Sequence, residues 1–138
     1  MSEIWKTAAP LGRTLIAAIF VVSGLGKLSA YAGTQAYMES SGVPGALLPL
    51  VILVEVAAGL AIIFGWQTRL AALALAGFSI ASAVLFHFNF ADQIQSIMFM
   101  KNLSIAGGLV ILAANGAGAW SLDNRQHAKA REPIGLRS

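Results

Sequence analysis

The run from Leu47 to Trp66, LLPLVILVEVAAGLAIIFGW, constrains this chain more than any other stretch. Its 20 residues are almost all apolar, which is the length that crosses the hydrocarbon of a bilayer. One carboxylate, Glu55, lies near its middle. An ionised carboxylate is costly at that depth, so it must face other helices, meet a partner or hold a proton. Counted along the helix, Glu55 sits about 12 Å below the nearer end of the span. The rest of the chain reads as the container for this one group.

The balance of residues agrees with a membrane class. Only 11% of residues are charged and 57% are hydrophobic, with a mean hydropathy of +0.74; soluble domains carry about 25% charged residues. The 138 residues suit one domain. With no cysteine, disulfides, thiol redox chemistry, iron–sulfur clusters and covalently attached haem are excluded.

Four spans are predicted, at about residues 10–28, 47–66, 70–90 and 103–119. The first shares a basic start and an apolar middle with a signal peptide, but no cleavage-type site follows and three more spans do. Between the first two spans, residues 34–40 read as a short helix stopped by Gly42 and Pro44, with Tyr31 and Tyr37 suited to the headgroup level. Between the last two, Phe90, Ile94, Ile97 and Met98 share a face, which predicts a second short interfacial helix. Gln67 and Thr68 leave room only for a tight antiparallel connection. Ala72, Ala76, Ser79 and Ala83 on the third span, and Gly107 and Gly108 on the fourth, would let helices approach closely. The expected fold is therefore all-α: an integral membrane four-helix bundle over residues 1–122, with short interfacial helices in its two outer loops. Residues 123–138 show no apolar periodicity and are expected to form a basic, partly disordered cytoplasmic tail.

Four spans put both termini on one side. That side carries Lys6, Arg13, Arg69, Arg125, Lys129, Arg131 and Arg137, and the other keeps Lys27 and Lys101. The bias predicts a multi-pass protein with both ends cytoplasmic. The net charge of +3 is then explained by topology and anionic lipid, not by nucleic acid, for which the tail has no aromatic–basic motif.

The polar groups within this frame fall into a pattern. Arg13, Ala17, Phe20, Gly24 and Lys27 step by 4, 3, 4 and 3 residues, so they share one helix face. If that face meets Glu55, a cation lies about two turns away on either side. His87 ends the third span and Lys101 and Asn102 begin the fourth at the same level. Lys27, His87, Lys101 and Asn102 should therefore ring the mouth of a pocket whose floor is Glu55, with Arg13 as the second cation. Each has a plainer reading. Arg13 and Lys27 can snorkel to anchor helix ends, His87 can be a hydrogen-bonded boundary residue, and Lys101 can be a topological marker. No metal site is expected, since His87 and His127 are predicted on opposite sides of the membrane and Met98 and Met100 suit an interface.

The stretches RTLIAAIFVVSGLGKL, YAGTQAYMESSGVPG, LPLVILVEVAAGLAIIFGWQTR, FHFNF, MFMKNLSIAGGLVILA and GAGAWSLD give the chain a resemblance to the DoxX family of small bacterial inner-membrane proteins, within it the YqjF-like subgroup. Carried over position by position, the family's polar residues fall on Arg13, Lys27, Glu55, His87 and Lys101. The resemblance implies a four-helix fold in a bacterial inner membrane. It also implies a link to redox systems, because some members are subunits of thiosulfate:quinone oxidoreductases and others accompany oxidative-stress complexes. With no redox-active side chain of its own, the chain would need a quinone, another bound cofactor or a soluble redox partner. The leading expectation is a membrane component of a quinone-linked redox system, holding a quinone or a small anion, with Glu55 and His87 relaying protons. The rivals are a small proton-coupled transporter and a structural membrane anchor that holds a soluble partner through its basic tail; the partners expected are the lipid bilayer and either a soluble redox partner or a homo-oligomer.

Overall fold

The computed structural model describes residues 2–131. Four helices are long and apolar enough to cross a membrane: α1 (Glu3–Ser29), α3 (Leu48–Phe64, entered through a 3-10 turn at Gly45–Leu47), α4 (Thr68–Phe86) and α5 (Gln93–Asn115). Two short helices complete the set among the described residues, α2 (Tyr31–Ser40) between α1 and α3, and α6 (Leu122–Arg131) after α5.

The helices pack as two close pairs, α1 with α3 and α4 with α5. The pairs join through α3 and α4, and α1 meets α5 only sparsely. In the first pair the helices approach at Gly24, where a Cβ would lie 2.7 Å from Val56 and 3.2 Å from Glu55 Cβ. Only a residue without a side chain fits there. The small face predicted on the third span turns into the bundle: Ala72, Ala76, Ser79 and Ala83 are buried, and so are Leu75 and Leu109. Phe20 and Phe78 meet edge to face across the two pairs, with ring centroids 6.5 Å apart. Large apolar side chains such as Leu15, Val22, Leu53 and Ile111 point outward. In water that surface would be a liability, but in hydrocarbon it is the solvated face.

Several boundaries differ from the sequence reading, each for a local reason. The first span is predicted from about residue 10, yet α1 starts at Glu3 and runs through Pro10. The proline removes only the donor for the Lys6 carbonyl, close to the helix start. Residues 93–100 are not a separate interfacial helix but the opening turns of α5. The Asp92 carboxylate caps this helix, accepting from the N–H groups of Ile94 (2.9 Å) and Gln95 (3.1 Å). An Asp followed three residues on by Gln is the sequence signal for such a start. Gly108 does pack closely, with a Cβ there 2.9 Å from Ile16, whereas Gly107 faces open space. In the tail, residues 122–131 form α6, and residues 132–138, Arg137 among them, lie outside the described residues.

Candidate functional site

The bundle has two polar ends of different construction. One end, here the basic end, holds the α3–α4 turn, the α5–α6 turn and the start of α1. Helix α3 stops at Gly65, whose left-handed φ of 70° lets Trp66 N–H reach the Ala61 carbonyl (2.8 Å) and its own N–H reach Ile62 (3.1 Å). A side chain at Gly65 would also strike Ser121 and the Arg13 guanidinium. Arg13 is buried, at 4% exposed. It donates to the carbonyls of Ala117, Trp120 (3.0 Å) and Ile63 (3.5 Å), so it ties α1 to the end of α3 and to the α5–α6 turn. Arg69 donates to Ala113 (3.2 Å) and Ala114 (3.1 Å), the last carbonyls of α5. Three exposed tryptophans, Trp5, Trp66 and Trp120, surround this end as an interfacial belt would.

Asp123 completes the lock. Helix α4 opens at Gln67 without a side-chain cap of its own. Asp123 supplies one from 55 residues away, accepting from Gln67 N–H (2.8 Å) and Thr68 N–H (3.0 Å), while its own N–H donates to Gly65 O (2.8 Å). Burial pushes its carboxyl up, but the Thr68 hydroxyl beside it, the two N–H groups and the charge of His127 outweigh that and hold it below the ordinary carboxylate range.

The opposite end contains a cavity of about 440 Å³. Its floor holds Glu55, whose side chain is 2% exposed and whose Oε1 lies 2.6 Å from Lys27 Nζ. Lys27 also donates to Ser23 Oγ at 2.7 Å. The contact to Glu55 is ionic, and Oε1 has no aligned hydrogen-bond donor among the described residues. The pair therefore keeps hydrogen-bonding capacity that it does not use internally. At the rim, His87 Nδ1 lies 2.7 Å from Gln95 Oε1, an arrangement in which Nδ1 carries the proton and donates. Tyr37 from α2 stacks on Phe86 at 5.4 Å. Asn102 contributes from α5, and the remaining walls are mostly apolar. Ile19 and Leu85 line the cavity while about half exposed on the lipid-facing surface.

Of the six residues singled out in the sequence, Lys27, Glu55, His87 and Asn102 converge on this cavity. Arg13 does not. It shares the helix face of Lys27 as the spacing requires, but it turns to backbone carbonyls at the far end. Lys101 does not either: one residue before Asn102, it projects from the outer face of α5 beside Gln93 and Ser104. Gln95, Tyr37, Ser23 and Ser79 were missed. Ser23 was legible, lying four residues before Lys27 on one helix face, whereas nothing local marks Gln95 as the partner of His87.

The DoxX family model matches residues 8–88, more than half of the chain and all of the segment from Arg13 to His87. The inner membrane protein YqjF of Escherichia coli is 50% identical over 129 residues, covering 94% of this chain and 99% of that protein. The inner membrane protein YphA of the same organism is 36% identical over 122 residues, covering 83% of this chain and 87% of YphA. No solved structure matches the chain. Four membrane-length helices, a family match across the two that hold the ion pair, and relatives matched over most of their length lead to one assignment: the chain belongs to the DoxX family and is a multi-pass inner-membrane protein.

Proposed function

We propose that the protein is a membrane component of a quinone-linked redox system and that the cavity above Glu55 is its ligand site. The observation that carries this reading is the ion pair itself, a carboxylate and an ammonium held at 2.6 Å under an apolar cavity, with spare hydrogen-bonding capacity on both. A quinone suits such a site because its ring is flat and apolar and its carbonyl oxygens accept hydrogen bonds. Lys27 donates to one carbonyl, Glu55 and His87 supply or take the protons that accompany reduction, and Tyr37 and Phe86 offer an aromatic wall. The half-exposed Ile19 and Leu85 leave the cavity open toward hydrocarbon, where such ligands reside. Transport is less well supported. Below Glu55 the interior is packed with Phe20, Ile62, Leu75 and Leu109, all buried in one apolar cluster.

In the same reading both termini are cytoplasmic. Among the described residues Lys6, Arg13, Arg69, Arg125, Lys129 and Arg131 lie at one end, against Lys27 and Lys101 toward the other. Reporter fusions at residue 131 and in the α4–α5 turn check it; cytoplasmic activity of the turn fusion overturns it. For the site, the detergent extract of wild type and of Glu55→Gln is analysed for bound quinones by mass spectrometry. Wild type should carry a quinone that the variant lacks at equal expression. Equal recovery from both removes Glu55 from the site.

A further inference from the structure

The basic end has a feature that neither the lock nor the cavity uses. Between α1 and α5, where these helices meet only sparsely, runs a groove of about 260 Å³. Ala8, Gly12, Ile16 and Gly108 line its walls, Asn115 its mouth, and Arg13 forms part of it. Gly12 is exposed, and a Cβ there would meet nothing within 4 Å. From Asn115 to Gly108 the groove descends about 10 Å into the membrane, at 1.5 Å per residue.

Arg13 is the second observation. It is buried and always charged. Its Nη atoms bond neutral carbonyls, and among the described residues no carboxylate stands within ion-pair distance of it. Asp123 acts on it only at longer range. Its Nε–H is buried without a hydrogen-bond partner. A buried cation with an unpartnered donor beside an apolar slot calls for an occupant with an anionic head and an apolar body. The tryptophan belt sets Arg13 near the level where lipid headgroups lie.

We infer that the α1–α5 groove seats one anionic phospholipid, its phosphate meeting the Arg13 guanidinium and the first part of one acyl chain lying against Gly12 and Gly108. The lipid closes a seam that the protein leaves open and brings a counter-ion into contact with a cation that Asp123 answers only at longer range.

The test is native mass spectrometry of the delipidated full chain, titrated with phosphatidylglycerol or phosphatidylcholine. Wild type should retain one phosphatidylglycerol, bound at least about tenfold more tightly than phosphatidylcholine. Gly12→Leu puts a side chain into the groove at a position where its Cβ meets no atom within 4 Å, and it should abolish the preference. Gly77→Leu, at an equally open site on α4, should keep it. Equal binding of the two lipids by wild type, or an unchanged adduct in Gly12→Leu, overturns the inference. So does a wild-type dimer that Gly12→Leu turns into a monomer with its lipid still bound, because the groove would then hold a second copy of the chain.

Discussion

The two ends of the bundle use the same kinds of charged residue for opposite purposes. At the basic end, Arg13 and Arg69 spread their donors over five backbone carbonyls, and Asp123 takes two backbone N–H groups. Charge there satisfies helix ends that would otherwise be orphaned in an apolar setting. At the cavity end, Lys27 and Glu55 face each other and leave capacity unused. A group whose Nη donors are held by several backbone carbonyls is fixed in place, while a side-chain pair beside empty volume can be rearranged by a ligand. The guanidinium fork suits the first task and the point charge of an ammonium the second.

The largest expected effect tests the lock. Arg13→Ala orphans three carbonyls from two segments and should cost about 4 kcal/mol, given about 1.5–3 for each charged hydrogen bond and incomplete additivity. Thermal unfolding in detergent reads this. Arg13→Lys should recover little, because an ammonium cannot reproduce the fork. A variant that unfolds like wild type would break the contrast at once.

Next comes the ion pair. Lys27→Met leaves the Glu55 carboxylate buried without a counter-ion, which should cost about 3 kcal/mol, the low end of the range for such a break because Lys27 is partly exposed. The double variant Lys27→Met/Glu55→Met should regain most of that stability yet stay without bound ligand. If the double variant remained as unstable as the single one, the pair would belong with the lock as a structural tie.

Asp123 gives a smaller effect with a pH signature. Asp123→Ala removes the cap of α4 and should cost about 1 kcal/mol. The carboxyl is held below its ordinary value in the folded chain, so its contribution is fully present above the unfolded value and is lost as pH falls through the folded one. Acid unfolding curves of wild type and Asp123→Asn should therefore diverge near neutral pH and converge in acid. Parallel curves would detach Asp123 from the turn.

The difference between the ends also explains what could be read from sequence. Spans, small-residue faces and the shared face of Arg13 and Lys27 follow from periodicity, and that is a property of one helix at a time. Which of the two cations meets Glu55 is a property of two helices. It depends on Gly24 bringing α1 against α3 at the level of Glu55, and on the carbonyls at Ile63, Ala117 and Trp120 claiming Arg13 first. The Asp123 cap joins residues 55 positions apart and leaves no local trace. Helix α6 was obscured because its face is polar all round, so it has no apolar stripe to betray it.

Lys101 supplies the smallest prediction and the sharpest limit on spacing arguments. It was placed at the cavity mouth because it begins the fourth span at the level of His87. On a helix, one residue is a rotation of about 100°. With Asn102 turned to the cavity, Lys101 must leave the bundle and face outward, as it does. Lys101→Gln should then change neither thermal unfolding nor ligand recovery measurably, while Asn102→Leu, one position on, should reduce recovery by filling the rim. A loss of ligand in Lys101→Gln with Asn102→Leu unaffected would mean that α5 presents its other face to the cavity when the site is occupied. The cavity end would then have to rotate about its helix axes, and the fixed contrast between a rigid lock and a preformed site would give way to one in which only the lock is fixed.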